Sequence, residues 1–242
     1  MSGNYLEGKV VVVTGGGSGI GQSVADVCLE LGAKVAICDL NVGATSTDES
    51  RIVCECDVTR PETVDKAFAK VKNTLGAIDA VVNCAGIWRP RSDGPITSVT
   101  DETWDQVIAV NLTGTFNVCR SAVRFMEEQG RGSIVTIASV VAITGWEKLN
   151  SYSASKGGVL ALSRALAVEC GPKNIRVNCI CPGVIETPMT EKVLAYSRPE
   201  VLPIGRLGQP RDIAHTAAFL CSDRAAFTTA STVVVDGGFS AA

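Results

Sequence analysis

Residues 10–21 read Val-Val-Val-Val-Thr-Gly-Gly-Gly-Ser-Gly-Ile-Gly, and no other stretch limits the possible folds as strongly. Four consecutive β-branched residues, Val10 to Val13, suit a strand buried on both faces, the kind found at the centre of a parallel sheet. The glycines begin where that strand must end. Gly15, Gly19 and Gly21 carry no Cβ, so the backbone can turn sharply and approach a ligand while a helix starts behind it. The first amides of that helix have no internal partners and its dipole favours negative charge, which makes a pyrophosphate the natural guest. The spacing is Gly-x-x-x-Gly-x-Gly, a loose match to the Gly-x-Gly-x-x-Gly fingerprint, and an ordinary tight turn is the alternative for this stretch taken alone.

Length and composition then bound what such a turn can belong to. A chain of 242 residues that is 46% hydrophobic can bury a large core, and one α/β domain over residues 1–242 is the expectation. The net charge is -3 with no run of Lys or Arg, which disfavours nucleic acid and anionic membranes as partners. Residues 1–9 lack an apolar run behind a basic cluster, and no later segment is apolar enough to span a bilayer, so a cytoplasmic protein is expected. Among the ten cysteines, Cys38, Cys54, Cys56, Cys84, Cys179 and Cys181 lie in or beside apolar strand-like runs and read as small reduced hydrophobes. Neither Cys54-x-Cys56 nor Cys179-x-Cys181 has the spacer of a zinc or thioredoxin-type site, so no metal is expected. The single histidine, His215, sits in a helical pattern over residues 212–220 and reads as packing or surface.

Taken in order, residues 20–31 carry apolar positions at helical spacing and stop at Gly32. Residues 34–39 form a second short apolar strand ending in Asp39, roughly 20 residues past the turn, where a dinucleotide fold places the acid that bonds the adenosine ribose. That carboxylate accepts from free ribose hydroxyls and repels a 2′-phosphate, and Ser18, Leu40 and Asn41 supply no cation, so NAD is favoured over NADP; a solvated loop Asp is the alternative. Residues 41–50 are small and polar without helical periodicity, which predicts a crossover cut to a loop or a single turn. A third strand over 51–56 leads to Asp57 and Val58 at its carboxyl end, and a helix follows over 61–75. A fourth strand runs from 78 into Asn83-Cys-Ala-Gly86, and a longer loop over 87–100 carries Trp88, Arg89 and Arg91. From Asp101 the pattern is helical, with Asn111 interrupting its apolar positions, a cost unless the amide has partners. The fifth strand, 132–139, ends in Ser139; a helix over 150–169 carries Tyr152 and Lys156 on one face; a sixth strand, 175–181, runs into Pro182 and Gly183; the last strand is 232–236. Strands alternating with helices throughout predict a Rossmann-type doubly wound parallel sheet, seven-stranded, with helices on both faces.

Tyr-x-x-x-Lys alone carries little weight, since such a pair on a helix usually packs and solvates. The ordered set is specific. Thr14-Gly-Gly-Gly-Ser-Gly-Ile-Gly21, Asp57-Val58, Asn83-Cys-Ala-Gly86, Asn111, Ser139, Tyr152-x-x-x-Lys156 and Pro182-Gly183 closely resemble the motifs of the short-chain dehydrogenase/reductase family over nearly the whole chain. Cys84 departs from the family's usual second Asn, which leaves the small-residue turn in place, and the short 41–50 crossover departs further.

The resemblance implies hydride transfer between a nicotinamide and a substrate carbon, with Tyr152 exchanging the proton, Lys156 and the positive nicotinamide of NAD⁺ together lowering its pKa, Ser139 orienting the substrate oxygen and Asn111 ordering a water chain to Lys156. It also implies cofactor contacts from Gly15, Ser18, Gly19, Ile20, Asp39, Asp57, Val58, Asn83, Ala85, Gly86, Tyr152, Lys156, Pro182, Gly183, Ile185 and Thr187. Trp88, Val141, Trp146 and Leu149 suggest a mainly apolar substrate pocket, with Arg89, Arg91 and Glu147 as rim charges or readers of an acidic group. A secondary alcohol and its ketone, cyclic or aromatic, are the expected substrates, and a homotetramer is the expected assembly. An NADPH-dependent 3-ketoacyl reductase and a non-catalytic dinucleotide sensor or scaffold on the same fold are the alternatives.

Overall fold

The valines of the first strand divide the core between them. In the computed structural model, which describes residues 3–41, 47–194 and 199–241, strand β1 (Val10–Thr14) is buried along its whole length. Successive side chains of a strand point to opposite faces. Val11 and Val13 accordingly pack with Val24 of helix α1 (Gly19–Glu30) and Ile213 of a later helix, while Val10 and Val12 pack on the other face with Phe68 and Val118.

Around β1 run β2 (Lys34–Asp39), β3 (Arg51–Glu55), β4 (Ala80–Asn83), β5 (Gly132–Ile137), β6 (Ile175–Pro182) and β7 (Thr232–Val235), in the order β3-β2-β1-β4-β5-β6-β7 with every pairing parallel. The expected seven-stranded, doubly wound sheet is present. Helix α2 (Pro61–Leu75) starts with Pro at its first turn and closes on Gly76 in a left-handed conformation. Helices α3 (Asp101–Ile108), α4 (Gly114–Gln129), α5 (Asn150–Cys170), the short α6 (Glu191–Leu194) and α7 (Pro210–Cys221) complete the described set. His215 is exposed on α7, and the ten cysteines are free thiols, buried except for the half-buried Cys84.

Two connections depart from plain alternation. The crossover expected as a loop or single turn over 41–50 lies partly outside the described residues, at 42–46, and the described residues between β2 and β3 carry no helix. Strand β3 buries Ile52 and Cys54 and exposes Glu55, the alternation of an edge strand covered on one face. The helix expected from Asp101 is not continuous: a π-helical turn, Ala109–Thr113, separates α3 from α4, with Gly114 N–H reaching the Ala109 carbonyl. Such turns insert a residue into the helical ladder and re-aim the side chain at the insertion, here Asn111. Among the described residues, no helix is long and apolar enough to cross a membrane.

The strand order reverses at β1, whose neighbours are β2 and β4. Connections leave such a point in opposite directions, which opens a crevice at the carboxyl ends of the strands.

Candidate active site

The crevice is a cleft of about 290 Å³ over the ends of β1, β2 and β4, floored by Gly15, Gly19 and Gly21. Gly15 has φ +65°, and a Cβ there would stand 2.7 Å from the Ala85 amide nitrogen. At Gly21 a Cβ would lie 2.1 Å from the Gly15 carbonyl oxygen. Two glycines therefore let the β1 turn, the β4 turn and the start of α1 touch backbone to backbone. Ser18 caps α1 without a side-chain hydrogen bond, and the first turn carries no acidic residue, so the helix's free amides and positive end meet no protein anion.

Ser18, Ile20, Ala85, Gly86 and Thr187 line the cleft as expected. So does Asp39, whose carboxylate accepts from Gly17 N–H at 2.9 Å and Asn41 N–H at 3.0 Å. No Lys or Arg is among the described lining residues. Asp57 and Val58 form the far wall; Asp57 accepts from the Thr59 amide (2.9 Å) and hydroxyl (2.7 Å), and Val58 is locked by the Asn117 amide on its carbonyl at 2.9 Å. A glycine floor, an unopposed helix N-terminus and a rim carboxylate fit a dinucleotide.

Six residues expected at the cofactor, Asn83, Tyr152, Lys156, Pro182, Gly183 and Ile185, do not line this cleft. The Asn83 side chain is 2% exposed, accepting from the Thr14 hydroxyl at 2.5 Å and donating to Thr115 at 2.8 Å, so it ties β1 and β4 to α4 from inside the core. Pro182 is the buried end of β6, and Ile185 is 4% exposed and packs into the core beneath. Gly183 lies in a second cavity, described below.

The catalytic candidates do converge. Ser139 stands just past β5 and starts a short turn, with its hydroxyl accepting from Val141 N–H at 3.4 Å. Tyr152, in the first turn of α5, has its phenol near enough to Ser139 for that hydroxyl to favour the phenolate, and one turn on, Lys156 donates from Nζ to the Ile137 carbonyl at 2.9 Å. Burial pushes the Tyr152 phenol up to about 12 against the Ser139 hydroxyl that pulls it down, and pushes Lys156 down to about 8. Lys156 Nζ stands 5.7 Å from the Tyr152 ring centroid and spends a hydrogen bond on Ile137, so in the ligand-free protein burial dominates the phenol.

Asn111 is wholly buried. Its amide accepts from Ile87 N–H at 2.8 Å and donates to the Ile87 carbonyl and the Ser155 hydroxyl, both at 3.0 Å, while Ser155 donates to the Tyr152 carbonyl at 2.7 Å. These bonds fasten the 87 loop to the first turns of α5. A Cβ on Gly86 would come within 3.3 Å of both Asn111 Oδ1 and Lys156 Nζ, so a larger residue would wedge into the site.

Ser139 and Tyr152 line a second cavity of about 540 Å³, and Met189 lines both cavities. Trp88, Val141, Trp146 and Leu149 all line it, as the sequence predicts. The Trp88 ring lies 6.2 Å from that of Tyr152, and Trp146 lies 5.4 Å from Phe239. Glu147 and Lys148 pair with each other at 3.4 Å at its mouth, where both are well exposed, and Arg89 and Arg91 are exposed outside the wall. Sequence reasoning missed Leu202, Leu207 and Phe239, which arrive from the last part of the chain with no periodicity to mark them. It also missed Asp93, 1% exposed, which accepts hydrogen bonds from the first turn of α5.

With this geometry in hand, comparison with known proteins is informative. A family model described as enoyl-(acyl carrier protein) reductase matches residues 15–240. The 2-(S)-hydroxypropyl-CoM dehydrogenase 3 of Xanthobacter autotrophicus is 36% identical over 255 residues, covering 98% of this chain and 99% of that protein. A 3-oxoacyl-(acyl-carrier-protein) reductase FabG of Thermotoga maritima is 38% identical over 244 residues, covering 96% and 98%. Among solved structures, ligand-free aldohexose dehydrogenase from Thermoplasma acidophilum matches with a TM-score of 0.90 at 32% identity, covering 98% of this chain and 96% of that one.

Proposed function

Since the chain belongs to the short-chain dehydrogenase/reductase family, we propose that it interconverts a secondary alcohol and its ketone using NAD(H), with Tyr152 as general acid and base. One observation carries this reading. Ser139 and Tyr152 stand on the wall of an apolar cavity that shares Met189 with the neighbouring glycine-floored cleft suited to a dinucleotide.

When bound, a nicotinamide dinucleotide supplies the two-electron step, taking hydride from or giving it to the substrate carbon. Ser139 donates to the substrate oxygen and fixes its direction. In ketone reduction Tyr152 gives its phenolic proton to that oxygen; in alcohol oxidation it takes the proton back. A phenol pushed up to about 12 is neutral near pH 7, so the free protein stands ready for donation, and oxidation requires the positive charges of Lys156 and the oxidised cofactor to bring it down. Lys156 would hold the nicotinamide ribose, Thr187 the carboxamide, and Asp39 the adenosine ribose.

NAD is supported by Asp39 and by the lack of a cation among the described cleft residues, since a 2′-phosphate would face a carboxylate with nothing to offset it. Aromatic and aliphatic walls, with Glu147 and Lys148 paired to each other at the mouth, support a neutral ring-bearing substrate. Exposed apolar side chains on α3, α4 and α5, namely Trp104, Phe116 and Val168, support burial between copies in a homotetramer. Free thiols suit a cytoplasmic setting.

A second reading, an NADPH-dependent 3-ketoacyl reductase, is favoured by the 38% identity to the Thermotoga protein. Intact Ser139, Tyr152 and Lys156 argue against a non-catalytic sensor or scaffold. Initial rates with NAD⁺ and NADP⁺ on cyclic and aryl secondary alcohols, beside NADH and NADPH on a 3-oxoacyl thioester, separate them. NAD⁺ with a ring-bearing alcohol is expected to give the highest kcat/KM; a preference for NADPH with the thioester would overturn the reading in favour of the second.

A further inference from the structure

Helix α5 begins without a cap of its own. Leu149 at the N-cap offers no side-chain acceptor, and the first turn contains no acidic residue. The leading amides of a helix need partners from elsewhere. Here they find Asp93, from the loop on the far side of the cavity: Oδ1 accepts from Ser151 N–H and Oδ2 from Tyr152 N–H, each at 3.0 Å. Asp93 is 1% exposed, so this is a buried carboxylate committed to the backbone of the residue read as the acid–base.

The loop that carries Asp93 is itself held at both ends. Asn111 grips the Ile87 backbone through two hydrogen bonds, and Asn150, the first residue of α5, donates to the Gly94 carbonyl at 2.8 Å. Between them Asp93 N–H closes a turn on the Arg89 carbonyl at 2.8 Å, and Trp88 brings its ring against Tyr152. A carboxylate at a helix N-terminus is favoured by the dipole and bonds more strongly than a neutral acceptor. One acidic side chain thus sets where the first turn of α5 sits relative to the cavity wall that Trp88 helps to form.

We propose that Asp93 is a positioning residue for the reaction: a cap supplied from the substrate loop that fixes the first turn of α5 and so holds the Tyr152 phenol beside Ser139. This rests on Tyr152 being the acid–base. It differs from a general stabilising role because both carboxylate oxygens are spent on the turn that carries Tyr152, one of them on its own amide. Asp93→Asn keeps one acceptor and loses the charge; Asp93→Ala loses both.

The test compares kcat, KM for the best alcohol, the NADH dissociation constant and Tm for wild type, Asp93→Asn and Asp93→Ala, together with Tyr152→Phe and the double variant Asp93→Asn/Tyr152→Phe. The expected order of kcat is Asp over Asn over Ala, with a loss of about tenfold for Asn and more for Ala, since small displacements of a reacting group cost that much. NADH affinity should stay within about twofold of wild type. Removing the phenol should cancel the Asn effect, so that the double variant turns over like Tyr152→Phe alone. Unchanged kcat in Asp93→Asn, or an undiminished Asn effect in the Tyr152→Phe background, overturns the proposal; lowered Tm with normal kcat assigns Asp93 to stability alone. If Asp93→Ala does not fold, the Asn series decides. Failure of the underlying reading looks different: Tyr152→Phe itself then retains turnover.

Discussion

Tyr152 and Lys156 share one face of α5, and burial favours the neutral form of both, the phenol rising to about 12 and the ammonium falling to about 8. In the ligand-free protein the Lys156 ammonium is held by the Ile137 carbonyl. Lys156 also links stability to pH. Its folded pKa lies below its ordinary 10.5, so between about 8 and 10.5 the unfolded chain binds a proton that the folded chain does not, and folding gains stability as pH rises through that window. Below the window the charged lysine is held at a cost. Lys156→Met removes the titration, and its Tm relative to wild type should be highest at about pH 7 and fall as pH approaches about 10. Melting curves across that range check this, and a difference independent of pH would contradict it.

At the scale of elements, the glycine turn was readable because its constraint is local: a strand must end and a helix must begin within a few residues. A Cβ at Gly21 would meet the Gly15 carbonyl at 2.1 Å, and backbone on both sides leaves it nowhere to go. Gly21→Ala should cost about 1–3 kcal/mol of stability, the range for forced overpacking, and weaken NADH binding as the turn opens. Thermal melts with NADH fluorescence titration measure both, and wild-type values for both would show that the turn tolerates the methyl group. The π-helical turn at Ala109–Thr113 was not readable, because it depends on Asn111 meeting Ile87, 24 positions away. Periodicity marks Asn111 as anomalous within a helix but does not say what the anomaly is for. Asp93 gave still less signal, an acidic residue in a polar loop whose partner helix starts much later in the chain.

Across the whole molecule, alternating apolar runs were sufficient to foresee the sheet, its parallel sense and the edge that carries the site. Motif order placed Ser139, Tyr152 and Lys156 together, and Val141, Trp146 and Leu149 after Ser139 do line a cavity. Motif membership does not say which residues line the cleft and which support it from within: the side chains of Asn83, Pro182 and Ile185 are buried beneath it. Phe239 illustrates the converse, since the chain end returns to close a cavity begun by Trp88 and Trp146, and only the tertiary fold reveals it. The central claim is that one phenol moves the proton in an NAD-linked exchange between alcohol and ketone. Steady-state turnover and NADH affinity of Tyr152→Phe test it most directly. Turnover should fall by about two orders of magnitude or more, the scale of a lost acid–base group, with NADH affinity unchanged; turnover equal to that of wild type would contradict the claim.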